Sequence, residues 1–237
     1  MGIKQDYMDL QENFDGIFSE TLKKNGNQIN HFNIVLEEFE IIKTIYKEHD
    51  AFKVMNEVQM DLLVANYLAS LGIYRTAYAT LRSALELGML FIYFIDNNYD
   101  YICWKDNKKD VSWSRLFGEN AFIDIDYFSI FYGKKEKEKF KAIIQDIKEA
   151  YRKCSEYTHG KYDYMMSIQG ASQFGYDEDK YDDFYKEFSR VADLIYVVQA
   201  IRFKKNIERL YIEDNDFNVE LTEEYNEKLK KYDLKGI

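Results

Sequence analysis

Residues 74–95 read YRTAYATLRSALELGMLFIYFI. Apolar side chains recur there at three- and four-residue steps and spread over a wide arc, with the small residues Ala77, Ala79, Ala84 and Gly88 among them. A helix that is apolar over so much of its circumference has to be enclosed by others. This segment is therefore expected at the centre of a helical bundle. Its most apolar run, 85–95, is eleven residues long and contains Glu86. That is short of the ~20 residues a membrane span needs, so no membrane association is expected.

The same periodicity extends in both directions. Residues 4–24 place Tyr7, Leu10, Phe14, Ile17, Phe18 and Leu22 on a helical face, and Asn25-Gly26-Asn27 reads as a stop. A second helix is expected over 28–49 and a third over 52–70, with Val54, Val58, Leu62, Leu63 and Tyr67 on one face. Gly72 either breaks the chain or lets that helix run on. Residues 96–119 read as a loop whose Trp104 and Trp113 would lie as a lid on the bundle. Helices are expected at 124–132, at 134–158 with Gly160 as a C-terminal cap, and at 181–210, with a connector at 170–176. A final amphipathic piece covers 222–232. No stretch keeps the two-residue alternation of a strand. The expected architecture is all-α: a single-domain helical bundle over 1–212, then an acidic linker and a C-terminal amphipathic helix over 213–237.

Composition agrees. The 237 residues include no proline, where average usage would give roughly twelve. Proline disrupts helix interiors, and AT-rich coding, suggested by the many Lys, Ile, Asn, Tyr and Phe residues, would deplete it further. The net charge of −10 is carried by two segments. Residues 177–187 hold a net −4 and residues 213–226 a net −6, so the rest is formally neutral. Such a total argues against a broad nucleic-acid-coating surface but leaves room for a local basic groove. Cys103 and Cys154 are too few for a disulfide framework and are expected as reduced thiols. Residues 1–13 carry three acids and no signal-type apolar core. A cytoplasmic location is expected.

Of the three histidines, His31 and His49 lie near expected helix ends in polar surroundings. His159 closes the stretch Tyr151-Arg152-Lys153-Cys154-Ser155-Glu156-Tyr157-Thr158-His159-Gly160. Arg152 and His159 are about 20° short of two full helical turns apart and share a face, with Ser155 and Glu156 between them. An imidazole can take the proton of an attacking 2′-hydroxyl, and a guanidinium can stabilise charge on a phosphorane.

An Arg and a His separated by six residues at the end of a bundle helix resemble the signature of the HEPN superfamily. The resemblance implies a helical, metal-independent endoribonuclease of toxin–antitoxin or antiviral defence. It also implies a homodimer whose protomers build one composite site from Arg152 and His159, with RNA as substrate and no cofactor. The sequence departs from the family in carrying Lys153 after the arginine, where Asn is usual. Its nearest following tyrosine is Tyr162, three places beyond the histidine. The stretch 81–86, with Arg82 and Glu86, resembles an acid-bearing family helix that faces the active site. The motif spans eight residues, and beyond it only the helical architecture is alike.

The same residues also fit a plain helix end, with His159 as a cap and Arg152 paired to Glu156 or Glu149. Arg82 and Glu86 could equally be a pair that fixes helix register. Lys134, Lys135, Lys137 and Lys141 fall in a lysine-rich run at the start of the same expected helix. Its near end lies roughly 17 Å from Arg152 by helix rise, a spacing that suits a flanking RNA contact. A second basic run covers 202–209. Other chemistries are unattractive. The E-x-x-H spacing of Glu156 and His159 lacks the second copy that a di-iron bundle uses. A calcium-loop start at Asp214 lacks its glycine and terminal acid, where Val219 and Tyr225 stand. No phosphate-cradling or serine-hydrolase glycine motif occurs. The alternative to an enzyme is a non-catalytic interaction module whose acidic segments and aromatic loops meet a protein partner or antitoxin.

Overall fold

The computed structural model describes residues 3–159, 175–213 and 219–236. The fold is all-α, and among the described residues there is no strand. In chain order the helices are α1 (Ile3–Tyr46), α2 (Phe52–Ser70), α3 (Tyr74–Asp96), α4 (Asn98–Lys105), α5 (Trp113–Phe117), α6 (Ile125–Phe131), α7 (Lys137–Thr158), α8 (Glu178–Glu213) and α9 (Val219–Lys230). A 3₁₀ turn, Lys134–Glu136, leads into α7.

α3 is the central helix, as its pattern predicts. Leu81, Ala84, Leu85, Met89, Phe91, Ile92 and Phe94 are fully buried, with α2, α7 and α8 packed around them. α3 is also long and apolar enough to cross a bilayer, which the run at 85–95 alone does not suggest; here it is the core helix of the bundle. Gly88 permits the closest approach. A Cβ at that position would lie 2.8 Å from the Ile195 side chain on α8, well inside van der Waals contact.

Gly72 does break the chain. Its φ is +74°, its amide donates to Ala69 O at 2.9 Å, and the Ile73 amide donates to Leu68 O at 2.9 Å. These two bonds satisfy the orphan carbonyls of α2 in the Schellman arrangement, where glycine takes the left-handed conformation without a Cβ clash. α3 therefore folds straight back along α2.

The break expected at Asn25-Gly26-Asn27 is there: Asn25 leaves helical geometry, at φ −120° and ψ 24°, and α1 is two helices that meet at this kink. The Asn25 amide donates to Gln28 at 2.6 Å and its carbonyl accepts from the Tyr176 hydroxyl at 2.7 Å. Both α2 and α8 pack against α1. Several expectations are corrected. The stretch 96–119 is not a loop, for it forms α4 and α5. Ser112 caps α5 by accepting from the Arg115 amide. Trp104 lies 5.0 Å from Phe94 between ring centres, while Trp113 belongs to the candidate site. On α2 the core face is Val54, Met55, Val58, Leu62, Ala65 and Ala69, and Leu63 and Tyr67 point outward. Gly160, Tyr162 and most of the connector at 170–176 lie outside the described residues.

α9 packs back onto the bundle. Leu229 and Leu234 are buried, and Lys228 sits between Glu38 of α1 and Asp193 of α8, bonded to the first and 3.2 Å from the second. Arg190 of α8 forks onto Asp146 of α7, with Nε at 2.6 Å. The Tyr232 hydroxyl donates to the same carboxylate at 2.5 Å.

Candidate functional site

α7 presents a polar outer face and buries Phe140, Ile143, Ile147, Ala150 and Cys154 on the inner one. Arg152 and His159 are both on the outer face and both exposed. Neither side chain bonds or ion-pairs to another described residue. The expected pairing of Arg152 with Glu149 does not form, because Glu149 accepts from Gln145 at 2.8 Å and pairs with Arg190 at 3.2 Å. Ser155 is half-buried, and its hydroxyl donates to Tyr151 O at 2.7 Å. That bond turns the hydroxyl back onto the helix. Glu156 is half-buried between the two.

α3 meets this segment at two levels. Arg75 donates from Nε to Tyr157 O at 3.2 Å and from Nη2 to Thr158 O at 3.4 Å. It thus satisfies carbonyls the last turn of α7 leaves open, and its charge complements the negative end of the helix dipole. Two turns along α3, the Arg82 guanidinium bonds Glu86 at 3.1 Å and the Tyr151 hydroxyl at 2.5 Å. Tyr151 then stacks on Trp113 of α5, ring centres 3.9 Å apart and planes 7° from parallel. Burial and the neighbouring Glu86 push the Tyr151 hydroxyl above its ordinary pKa. Arg82 Nε is buried with no hydrogen-bond partner.

The expected pair Arg82 and Glu86 is therefore a real ion pair, and it reaches α7 one residue before Arg152. Arg75 and Tyr151 are members of the cluster to which the sequence reading gave no role, and Trp113, expected as part of a lid on the bundle, packs there on Tyr151. Arg75 stands seven residues before Arg82, which is the one signal that could have found it.

No protein family, curated protein or solved structure matches the chain. The site is accordingly read from its own chemistry.

Lys137, Lys141, Lys148, Arg152 and His159 fall within about 60° of one another around the α7 axis, counting 100° per residue. They form a stripe roughly 33 Å long by helix rise. Lys137, Lys141 and Lys148 line one wall of an open cleft of ≈ 620 Å³, whose other wall is the segment from Gly118 to Asp126. Lys137 pairs with Asp126 at 3.2 Å and Lys141 with Glu138 at 2.6 Å. Lys148 is exposed and has no such bond to a described residue. Of the expected lysine contacts, Lys137 and Lys141 join this stripe. Lys134 and Lys135 are exposed on the 3₁₀ turn ahead of it.

In the basic run at 202–209, Arg202 and Lys204 are engaged within the bundle, while Lys205 and Arg209 are exposed. Arg202 grips Asp96 with Nε at 3.0 Å and lies over the Phe131 ring at 4.2 Å, and Lys204 bonds Glu208. Cys154 is fully buried, and burial pushes its thiol far above the usual range; no thiolate chemistry is available there. Among the described residues no group of three or more His, Cys, Asp and Glu is arranged to hold a metal ion.

Proposed function

We propose that this chain is an endoribonuclease of HEPN type that works as a homodimer in toxin–antitoxin or antiviral defence. The observation that carries the reading is the outer face of α7, where a guanidinium and an imidazole stand two turns apart, both exposed and neither bonded to another described residue, at the end of a line of lysines. Two-fold pairing along that face would set two Arg152–His159 pairs around one strand. His159 takes the proton from the ribose 2′-hydroxyl, the 2′-oxygen attacks phosphorus, and the bond to the 5′-oxygen breaks. The leaving oxygen takes up a proton from the second imidazole, leaving a 2′,3′-cyclic phosphate and a 5′-hydroxyl. Arg152 balances the charge that develops on the phosphorane oxygens. Lys148, Lys141 and Lys137 hold the flanking phosphates.

Arg75 and the Arg82–Tyr151–Trp113 assembly are positioning residues: they hold the last turns of α7 against α3 and thereby fix the angle at which Arg152 and His159 leave the helix. The test is cleavage of a panel of RNAs in EDTA by the wild type, His159→Ala and Arg152→Ala, with product ends identified. Cleavage to cyclic phosphates by the wild type, reduced by about 100-fold or more in both variants, is the expected result. Equal cleavage by all three rejects the mechanism.

A further inference from the structure

The first turns of α1 leave the bundle. From Ile3 to Gly16 every residue is exposed except Leu10 and Phe14, which are half-buried. Ile3, Tyr7 and Leu10 nevertheless follow one another at steps of four and three residues, the spacing of a helix–helix seam. The seam continues into Ile17 and Thr21, which are buried in the bundle. Ile3 and Tyr7 are 74% and 69% exposed, and the seam flanks a shallow cavity of ≈ 600 Å³.

A second apolar surface adjoins the base of this arm. Phe18 meets Tyr67 edge to face at 5.8 Å. From Tyr67 the outward residues of α2 run back through Val64, Leu63 and Met60, an i, i+3, i+4, i+7 stripe with every member exposed. Leu36, Met60 and Leu63 line a groove of ≈ 350 Å³ between α1 and α2. Single exposed apolar residues are ordinary, but two contiguous helical stripes that join end to end mark an interaction surface. Helical recognition reads such i, i+3, i+4, i+7 anchors in a partner.

Charge selects the occupant. Residues 3–20 carry Asp6, Asp9, Glu12, Asp15 and Glu20 against Lys4 alone, a net −4. Glu37 and Glu40 stand on the rim of the groove, and Lys43 there is engaged by Glu40 at 2.6 Å. A second copy would bring an equally acidic arm to an acidic arm or groove, and like charges across an interface disfavour it. We propose that the arm of α1 and the α1–α2 groove dock a basic amphipathic helix of a partner polypeptide. Leucine-type side chains of that helix would fill the seam, and its lysines or arginines would meet the acids on either side. This surface is separate from the α7 stripe and does not depend on the ribonuclease reading.

The test uses the full chain and a fluorescently labelled Leu/Lys amphipathic peptide of about five helical turns, with a Leu/Glu peptide of the same apolar pattern as its counterpart. Anisotropy titrations compare the wild type with Tyr7→Ser/Leu10→Ser and with Leu63→Ser. These variants remove exposed apolar groups and keep every charge. The expected result is salt-sensitive binding of the Leu/Lys peptide, about tenfold weaker in each variant, with no binding of the Leu/Glu peptide. Unchanged thermal melts establish that the variants remain folded. Three outcomes would overturn the proposal: equal binding of both peptides, unweakened binding by the seam variants, or a wild-type dimer in sedimentation that Tyr7→Ser/Leu10→Ser dissociates. The last would make the occupant a second copy of this chain.

Discussion

Tyr151 offers its hydroxyl to Arg82 at 2.5 Å while its ring lies flat on Trp113 at 3.9 Å, so one side chain of α7 joins α3 to α5 immediately before Arg152. The hydroxyl and the ring should be separable. Tyr151→Phe keeps the stack and removes the acceptor, which should cost about 1 kcal/mol in urea denaturation. Tyr151→Ala also removes the stack and should cost about 2–4 kcal/mol, less than a wholly buried aromatic because the residue is half-exposed. A Phe variant as stable as wild type would mean that the Arg82 bond holds nothing.

Arg75 caps the carbonyls of Tyr157 and Thr158 from a neighbouring helix. Arg75→Gln should loosen the last turn of α7 with a small global effect, about 0.3–1 kcal/mol. Amide hydrogen exchange is the sensitive measurement. Faster exchange confined to residues 155–159 is expected, and unchanged exchange there would show that the cap is idle.

Lys148 tests the track along α7. On the RNA reading, Lys148→Ala should weaken RNA binding by a His159→Ala background protein and lower the slope of log K against log salt by about 0.7. In the active protein KM should rise while kcat stays near the wild-type value, since a flanking phosphate contact contributes to ground and transition state alike. An unaltered salt slope would take Lys148 out of the contact.

Gly88 and Ile195 define how closely α3 and α8 approach. Gly88→Ala places a methyl at 2.8 Å from a β-branched, rotamer-restricted side chain and should destabilise the fold by about 1–3 kcal/mol. Ile195→Ala should recover part of that loss when combined with it, although it is destabilising alone. Strict additivity in the double-mutant cycle would show that the two sites do not touch.

Asp100 supplies a pH dependence of known sign. Lys109 at 2.8 Å and the Tyr93 hydroxyl hold its carboxyl below the ordinary value of 3.8. A carboxylate whose pKa is lowered by folding stabilises the native state at pH above the unfolded value, and that contribution is lost as the pH falls through the folded one. Asp100→Asn should therefore lower stability at neutral pH and flatten the acid limb of the stability curve below about pH 4. Parallel wild-type and variant curves would exclude the linkage.

Where helices were long and periodic, the sequence was enough to place them. The bounds expected for α2 coincide with those observed, and those of α3 differ by one residue, because an amphipathic pattern carried over five turns overrides local noise. Short elements were not legible. α4 and α5 run for eight and five residues, too few for a period to declare itself, and their aromatic residues read as loop. At Asn25 the local breaker was recognised correctly, but the Tyr176 hydroxyl that bonds its side chain comes from a residue 151 positions away. The outward turn of Leu63 and Tyr67 escaped for a related reason: hydrophobicity marks a face without saying which neighbour will cover it.

The candidate site divides along the same line. Arg152 and His159 could be found because a single helix holds both, and Arg82 with Glu86 for the same cause. What joins the two pairs, through Tyr151 and Trp113, is tertiary and leaves no spacing to read. Lys148 lay in plain view, seven residues after Lys141, yet the run of closely spaced lysines drew attention to Lys134 and Lys135 along with Lys137 and Lys141, and away from the isolated lysine that shares the azimuth of the last two.

The Gly72 corner bears on how the chain comes together in time. α2 and α3 are neighbours in sequence and share the most extensive helix packing in the molecule, so the hairpin they form closes only a short loop. Local contacts of that kind assemble ahead of distant ones. We expect Val58 and Leu81 to show larger φ-values than Ile147 or Val198, which wait for α7 and α8 to arrive from far along the chain. A chain that folds in this order builds the surface on which the inner face of α7 packs before the helix bearing Arg152 and His159 has docked.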